Sequence, residues 1–365
     1  MSTRASAAIA RTREGPLSIE PVELDELRPD ELLVRLEACG ICHTDEKFRQ
    51  RLALPAVLGH EGAGVVEAVG ARVDDVSVGD RVILSYPSCA VCAACHEGRP
   101  FHCEEILTLK FAGCRTDGTR PVSLDGAPIT SAFFQQSSFA THAVTLASAV
   151  IPVADNVPSE VLAALPCGVQ TGAGAIMNTF AAGPDDSLVV VGAGAVGLSA
   201  IMAAQVNGVR HIICVEPNEH RRALAAELGA SAVFDADDAG LAALTSAMPG
   251  GGADLVLESS ATVAGLELAI GCVGRGGAVG IVSFPNEGEP FPFSTREMFM
   301  KTARLVSVMQ GSSVPREFIP QLIAHWQAGR FPVERLISTH PFEDINQALA
   351  DASSGIAVKP VLLMQ

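Results

Sequence analysis

Ser187-Leu-Val-Val-Val-Gly192-Ala-Gly194-Ala-Val-Gly197 runs an apolar, valine-rich segment straight into three glycines spaced G-x-G-x-x-G. The apolar run predicts a buried strand, and the sequence beyond predicts a helix from about Val196. Gly192 would permit the tight turn between them, Gly194 would let the backbone approach a pyrophosphate, and Gly197 would let the helix pack closely on the strand. The next apolar run, His211-Ile-Ile-Cys-Val, ends at Glu216, about 20 residues past the loop, where a carboxylate can accept hydrogen bonds from an adenosine ribose. A carboxylate there repels a 2′-phosphate, so NAD is favoured over NADP, with Arg221 the nearby cation able to serve a phosphate.

Outward from this loop the rhythm continues as strand and helix in alternation. A helix is expected through Arg221-Arg-Ala-Leu-Ala-Ala-Glu-Leu, then a strand at Ala253-Asp-Leu-Val-Leu-Glu. Such alternation predicts a doubly wound parallel sheet, the α/β class. The first 150 residues read differently, as short β segments broken by glycine and proline: Glu31 to Ala38, Gly64 to Val69, Asp80 to Leu84 and Ala140 to Val144. That spacing predicts a barrel-like β domain. After Val308 come a helix from Pro315 to Ala328, which contains the only Trp, a helix near Ile345 and a closing strand from Pro360 to Met364. The expected division is residues 1–168, 169–308 and 309–365, the last returning to the first domain.

Cys89-Ala-Val-Cys92-Ala-Ala-Cys95 and Cys103 lie two, two and seven residues apart, a spacing that can wrap four thiolates around one tetrahedral Zn²⁺. Four cysteines leave no open position, so this ion is expected to be structural. A formal charge of −16 with no Lys/Arg cluster argues against nucleic acid and anionic membrane surfaces as partners. The N-terminus lacks the apolar core and cleavage pattern of a secretory signal, so a cytoplasmic location is expected, where ten cysteines read as ligands and small hydrophobes. Leu188 to Ala204 is almost wholly apolar but carries the glycine loop and falls short of the roughly 20 residues of a membrane span.

Three further segments carry ligand-type residues: Cys42 in Gly40-Ile-Cys-His-Thr-Asp45, His60 beside Glu61 in Gly59-His-Glu-Gly62, and Cys167 in Leu165-Pro-Cys-Gly168. Two thiolates and an imidazole would leave a fourth position on a second zinc for water or an alcohol oxygen. These segments, the four-cysteine run and the glycine loop together resemble the zinc-containing medium-chain alcohol dehydrogenases over essentially the whole chain. The resemblance implies a GroES-like β-barrel domain and a Rossmann domain with the active site in the cleft between them. It implies that Cys42, His60 and Cys167 hold the catalytic zinc, that Asp45 orients the histidine, that Glu61 is the acid beside the metal, and that Thr44 accepts the substrate's hydroxyl proton. By the same resemblance His43 and Lys359 match residues near the cofactor phosphates, Thr171 and Val196 match nicotinamide contacts, and Glu216 with Arg221 match adenosine-ribose contacts. The histidine that ends the proton relay in liver-type members is here Lys47.

Within the family, the segments around Phe133 to Thr141, Leu165 to Ala175 and Asp344 to Ala348 look most similar to bacterial benzyl alcohol dehydrogenases. That implies a primary aromatic alcohol and its aldehyde as the small-molecule pair, with Phe133, Phe134 and Phe284 at pocket-matching positions. Ser85, where liver-type members have Phe, would enlarge one wall for a ring or a terpene chain. Allylic, terpene or aliphatic alcohols are the alternatives, as is glutathione-linked formaldehyde oxidation, for which Lys110 and Arg115 are cations after Cys103 that could hold a carboxylate. A non-catalytic zinc and Rossmann scaffold is the rival from another class. A homodimer or homotetramer is expected, and Cys39, Cys114, Cys214 and Cys272 are assigned to packing.

Overall fold

The computed structural model describes residues 3–248, 251–283 and 294–364. Phe284, one of the expected pocket residues, lies outside them. The chain divides into two compact units, the first of Met1–Cys167, Val314–Pro320 and Val333–Gln365, the second of Gly168–Ser313 and Gln321–Pro332. The last expected segment is therefore split: 309–313 and Gln321–Pro332 cluster with the second unit, and the rest with the first.

The first unit is built on the long strand Glu31–Gly40, buried at eight of its ten positions. Gly62–Val69 pairs antiparallel along one of its edges. The other edge is shared: Glu31 to Arg35 pair with His142–Leu146, and Ala38 to Gly40 pair with Val361 to Leu363 of the closing strand Lys359–Leu363. That register is how the C-terminal strand returns to the first domain. Seven strands join this sheet, and a second sheet of five strands runs in the order 56–57, 3–10, 18–24, 122–124 and 127–128. Leu32, Val34, Leu36, Val66, Val82 and Leu84 fill one of the cores, each such side chain contributing about 1.5–3 kcal/mol on burial.

Among the described residues the second unit holds six parallel strands in the order 232–234, 211–215, 187–191, 253–258, 273–281 and 304–307. Numbered along the chain this is 3-2-1-4-5-6, the order whose reversal leaves a crevice at the carboxyl ends of the first and fourth strands. Val189, Val191, Ile213, Val256 and Val279 stack between the strands and their helices. Ser187–Val191 is central, with Leu188 opposite both Ile212 and Leu255, which explains its unbroken apolar sequence.

The apolar stretch from Leu188 to Ala204 is this strand followed by the helix Ala195–Val206. A different segment, Ser159–Phe180, is long and apolar enough to cross a membrane, but 78% of its apolar 18-residue window is buried inside the protein. It opens as an α-helix at Ser159–Ala164 and widens into a π-type turn at Leu165–Val169. Pro166 inside that turn has no N–H to give to the helical ladder, and such widened turns recur at functional sites. Here it presents Cys167.

Candidate active site

Cys42 ends the backbone run after Glu31–Gly40 and caps the short helix His43–Arg49. His60 and Glu61 lie just before Gly62–Val69, on the neighbouring strand. The three segments converge so that ligand atoms of Cys42, His60, Glu61 and Cys167 all lie within 4.8 Å of one another. His60 Nε2 is 3.3 Å from Cys167 Sγ, while Nδ1 is 2.8 Å from Asp45 Oδ1. Asp45 is fully buried; its Oδ1 also accepts from the Gly59 N–H at 3.1 Å and its Oδ2 from the Cys42 N–H at 3.0 Å. One carboxylate thus fixes the backbone of two ligand segments and the ring orientation of the histidine, leaving Nε2 to face the sulfurs.

The electrostatics fit a cation. The hydrogen bond with Cys167 is the largest cause holding the Cys42 thiol well below its ordinary range, and the same bond with burial pushes Cys167 well above it. The pair shares one proton, because two adjacent buried thiolates without a positive ion repel each other. Burial lowers the His60 pKa, yet Asp45 and Cys42 outweigh it and raise the imidazole to about 10. Glu61 Oε1 is buried without a hydrogen-bond partner, although an uncompensated buried carboxylate oxygen is costly. Two soft sulfurs, an imidazole nitrogen and an orphaned oxygen suit Zn²⁺.

Lys359, expected near a cofactor phosphate, is paired within this site. Its side chain is 2% exposed, and its ammonium binds Glu61 Oε2 and the Ile41 carbonyl. Burial of Glu61 demands a counter-charge, and Lys359 supplies it. Thr44 is half-buried on the same helix as Asp45, with Oγ1 3.5 Å from Cys42 Sγ. His43 is exposed at the helix start, and Lys47 is half-buried one turn past Thr44.

Phe134 stacks on the His60 ring at 4.3 Å and 24°, and Phe133 meets the same ring edge-on at 5.5 Å. Ser85 is fully buried and its hydroxyl donates to the Pro166 carbonyl at 3.1 Å, so it steadies the turn that carries Cys167. Gln136 escaped the sequence reading as a site element, and Lys110 entered it only as a cation able to hold a carboxylate. Gln136, 2% exposed, donates from Nε2 to the carbonyls of His60 and Ser85 at 3.1 and 3.2 Å, while its Oε1 accepts from the Gly62 N–H at 3.1 Å. Lys110 rests its ammonium over the rings of Phe134 and Phe111. Gln136 carries no spacing signal because its partners are distant in sequence, and for Lys110 the same holds of Phe134.

The four-cysteine lobe has the geometry of a second metal site. Cys92 Sγ and Cys89 Sγ lie 3.5 and 3.9 Å from Cys95 Sγ, and all four ligand atoms are within 4.8 Å. Tetrahedral Zn–S bonds of about 2.3 Å place sulfurs roughly 3.8 Å apart, far beyond a disulfide. Main-chain N–H groups around Glu104 and Cys95 pull the Cys92 thiol down to about 6, ready to ligate as thiolate.

In the second unit the glycine loop is as the spacing requires. Gly192 has φ +94°, and a Cβ on Gly197 would lie 1.9 Å from the Gly192 carbonyl oxygen. A Cβ on Gly194 would meet nothing within 4 Å, which leaves the backbone open to a phosphate. Glu216 Oε2 accepts from the Ala193 N–H at 2.6 Å and its Oε1 from the Asn218 N–H at 2.9 Å. Arg221 lies in the first turn of the helix Glu219–Glu227, half-buried. Thr171 and Val196 sit on helices packed so closely that a Cβ on Gly172, next to Thr171, would fall 2.0 Å from the Val196 carbonyl oxygen.

Residues 28–155 match the alcohol dehydrogenase GroES-like domain, and residues 195–327 match the zinc-binding dehydrogenase domain. Geraniol dehydrogenase of Castellaniella defragrans is 43% identical, over 98% of this chain and 97% of that protein. The crystal structure of an alcohol dehydrogenase zinc-binding domain protein from Burkholderia ambifaria superposes with a TM-score of 0.96 at 42% identity, covering both chains fully. That of benzyl alcohol dehydrogenase from Acinetobacter calcoaceticus gives 0.94 at 36% identity, again over the whole of both. The chain therefore belongs to the zinc-dependent medium-chain alcohol dehydrogenases, with a GroES-like domain, a Rossmann-type domain and Zn²⁺ as a cofactor.

Proposed function

We propose that this chain interconverts a primary alcohol of the benzyl type and its aldehyde, with NAD as hydride carrier and two zinc ions per chain. The observation that carries the reading is the aromatic wall on the ligand histidine, Phe134 stacked at 4.3 Å and Phe133 edge-on. A flat ring against such a wall gains about 0.5–1.5 kcal/mol beyond its area burial, which a short alkyl chain does not. When bound, zinc lowers the pKa of the alcohol as a Lewis acid, and the oxidised nicotinamide takes the hydride.

The residues divide the remaining work. Cys42, His60 and Cys167 would hold the catalytic ion, and Cys89, Cys92, Cys95 and Cys103 the structural one. Asp45 keeps the Nδ1 proton of His60 engaged. Thr44 Oγ1 takes the hydroxyl proton as it passes its own onward, and Lys47, three residues along the same helix, lies on the face to which that proton would travel. The Glu216 carboxylate beside the loop supports NAD over NADP, with Arg221 nearby.

A second reading, an allylic terpene alcohol, is favoured by the relative named geraniol dehydrogenase. Glutathione-linked formaldehyde oxidation is disfavoured because Arg115 is already held by Glu31 at 2.7 and 2.9 Å and Asp25 at 2.7 Å. Assembly into a homodimer or homotetramer belongs to the same proposal, supported by Phe299, Met300 and Leu305, exposed by 79%, 54% and 44% on the second unit. The deciding experiment is steady-state kinetics with NAD on benzyl alcohol, geraniol and ethanol. The proposal expects kcat/KM for benzyl alcohol above that for ethanol, and equal or reversed values would sink it.

A further inference from the structure

Lys110 lies on the helix Ile106–Phe111 and is 4% exposed. Its Nζ is 4.8 Å from the ring centroid of Phe134 and 5.0 Å from that of Phe111. Burial pulls its pKa down to about 8, while the charges of Cys167 and Cys42 hold it up, which places the ammonium within the field of the ligand sulfurs. The arrangement is rigid. Gln135 Nε2 donates to the Leu109 carbonyl at 3.1 Å, tying the lysine's helix to the Phe134 loop, and Phe48 stacks on Phe111 at 3.8 Å and 5°. Since Phe134 also stacks on His60, cation, ring and ligand histidine form one contiguous group.

We propose that Lys110 is a specificity-determining residue, whose ammonium against Phe134 and Phe111 favours alcohols with a π system next to the carbinol carbon over saturated alcohols of the same size. A desolvated ammonium is attracted to electron-rich ring faces by up to about 2 kcal/mol. An alcohol bound at the ligand set brings the substituent of its carbinol carbon toward this group. An aromatic or allylic substituent presents another π face to the cation, whereas a saturated one offers it no electron-rich face. This rests on the alcohol-oxidising reading above and would let one site take benzylic and allylic alcohols alike.

The test compares kcat/KM for two size-matched pairs, benzyl alcohol with cyclohexylmethanol and geraniol with citronellol, in the zinc-loaded wild type and in K110M, K110Q and K110R. Taking each pair as a ratio cancels changes in loading and stability. The ratio of the alcohol unsaturated beside the carbinol carbon to its partner saturated there is expected to fall about fivefold in the two neutral variants, ~1 kcal/mol at 1.4 kcal/mol per tenfold, and to stay within about twofold in K110R. An unchanged ratio in either neutral variant overturns the inference. The wild type supplies a second measurement: KM should rise from 4-methoxybenzyl to 4-trifluoromethylbenzyl alcohol as the ring face loses electron density, and a flat or reversed series also overturns it. If the wild type oxidises none of these alcohols, the substrate reading itself fails; if it oxidises them with ratios indifferent to residue 110, only this inference fails.

Discussion

Asp45 is the residue on which the ligand set turns. Its two oxygens hold the Gly59 and Cys42 N–H groups and the His60 ring, so the charge and the three acceptor bonds act together. Asp45→Asn keeps the shape but not the charge, and zinc affinity is predicted to fall about 10–100-fold with a parallel loss of kcat/KM, as chelator competition would measure. Unchanged affinity would contradict the role. Metal uptake should also be proton-linked: in the metal-free site His60 titrates near 10 and Cys167 is raised, so at pH 7 both hold protons that zinc must displace. Zinc binding is therefore expected to release protons at pH 7 and to tighten as pH rises, read with an indicator dye. The Asp45 role entered only through the resemblance, since Asp45 and His60 stand 15 residues apart. The meeting of His60 with Cys167 spans 107 residues, and spacing carries no such information; only the resemblance joined them.

At the scale of elements, the loop that builds the aromatic wall is under conformational strain. Ala132, Phe134, Gln135 and Ser137 have φ of 63°, 52°, 54° and 48°, the left-handed region that costs a non-glycine residue about 1 kcal/mol or more. Side chains hold it there: Ser137 Oγ accepts from the Phe133 N–H at 2.9 Å and donates to the Val57 carbonyl, while Gln135 and Gln136 reach into neighbouring segments. Gln136→Ala would leave the His60 and Ser85 carbonyls and the Gly62 N–H short of a partner. It should destabilise the first unit by about 3 kcal/mol and raise KM more than it lowers kcat; thermal melting with kinetics would show this, and a neutral effect on both would refute it. The strands and helices were largely legible, with Ala253–Glu258 falling where its apolar run lies and Pro315–Gln327 ending one residue early. This loop was not, because Phe-Phe-Gln-Gln carries no turn residue, and tertiary hydrogen bonds alone impose its backbone.

Across the whole molecule the chemistry is divided between two units, one bearing both cysteine-rich sites and the other the glycine loop. The parallel order was legible because strand, glycine turn and helix are all local signals. The exchange of short C-terminal segments between units was not, since it depends on packing. Cofactor choice belongs to this scale: Glu216→Ala should raise kcat/KM with NADP relative to NAD at least about tenfold by removing like-charge repulsion of a 2′-phosphate, and an unmoved ratio would speak against the assignment. The central claim, that turnover belongs to Cys42, His60 and Cys167 while the cysteine lobe only supports the fold, is met most directly by zinc content and NADH formation in matched variants. Cys42→Ala is predicted to keep one zinc per chain and to form no NADH from benzyl alcohol, whereas Cys92→Ala melts lower yet turns over per folded chain. A Cys42→Ala chain with two zincs and wild-type turnover would contradict the account.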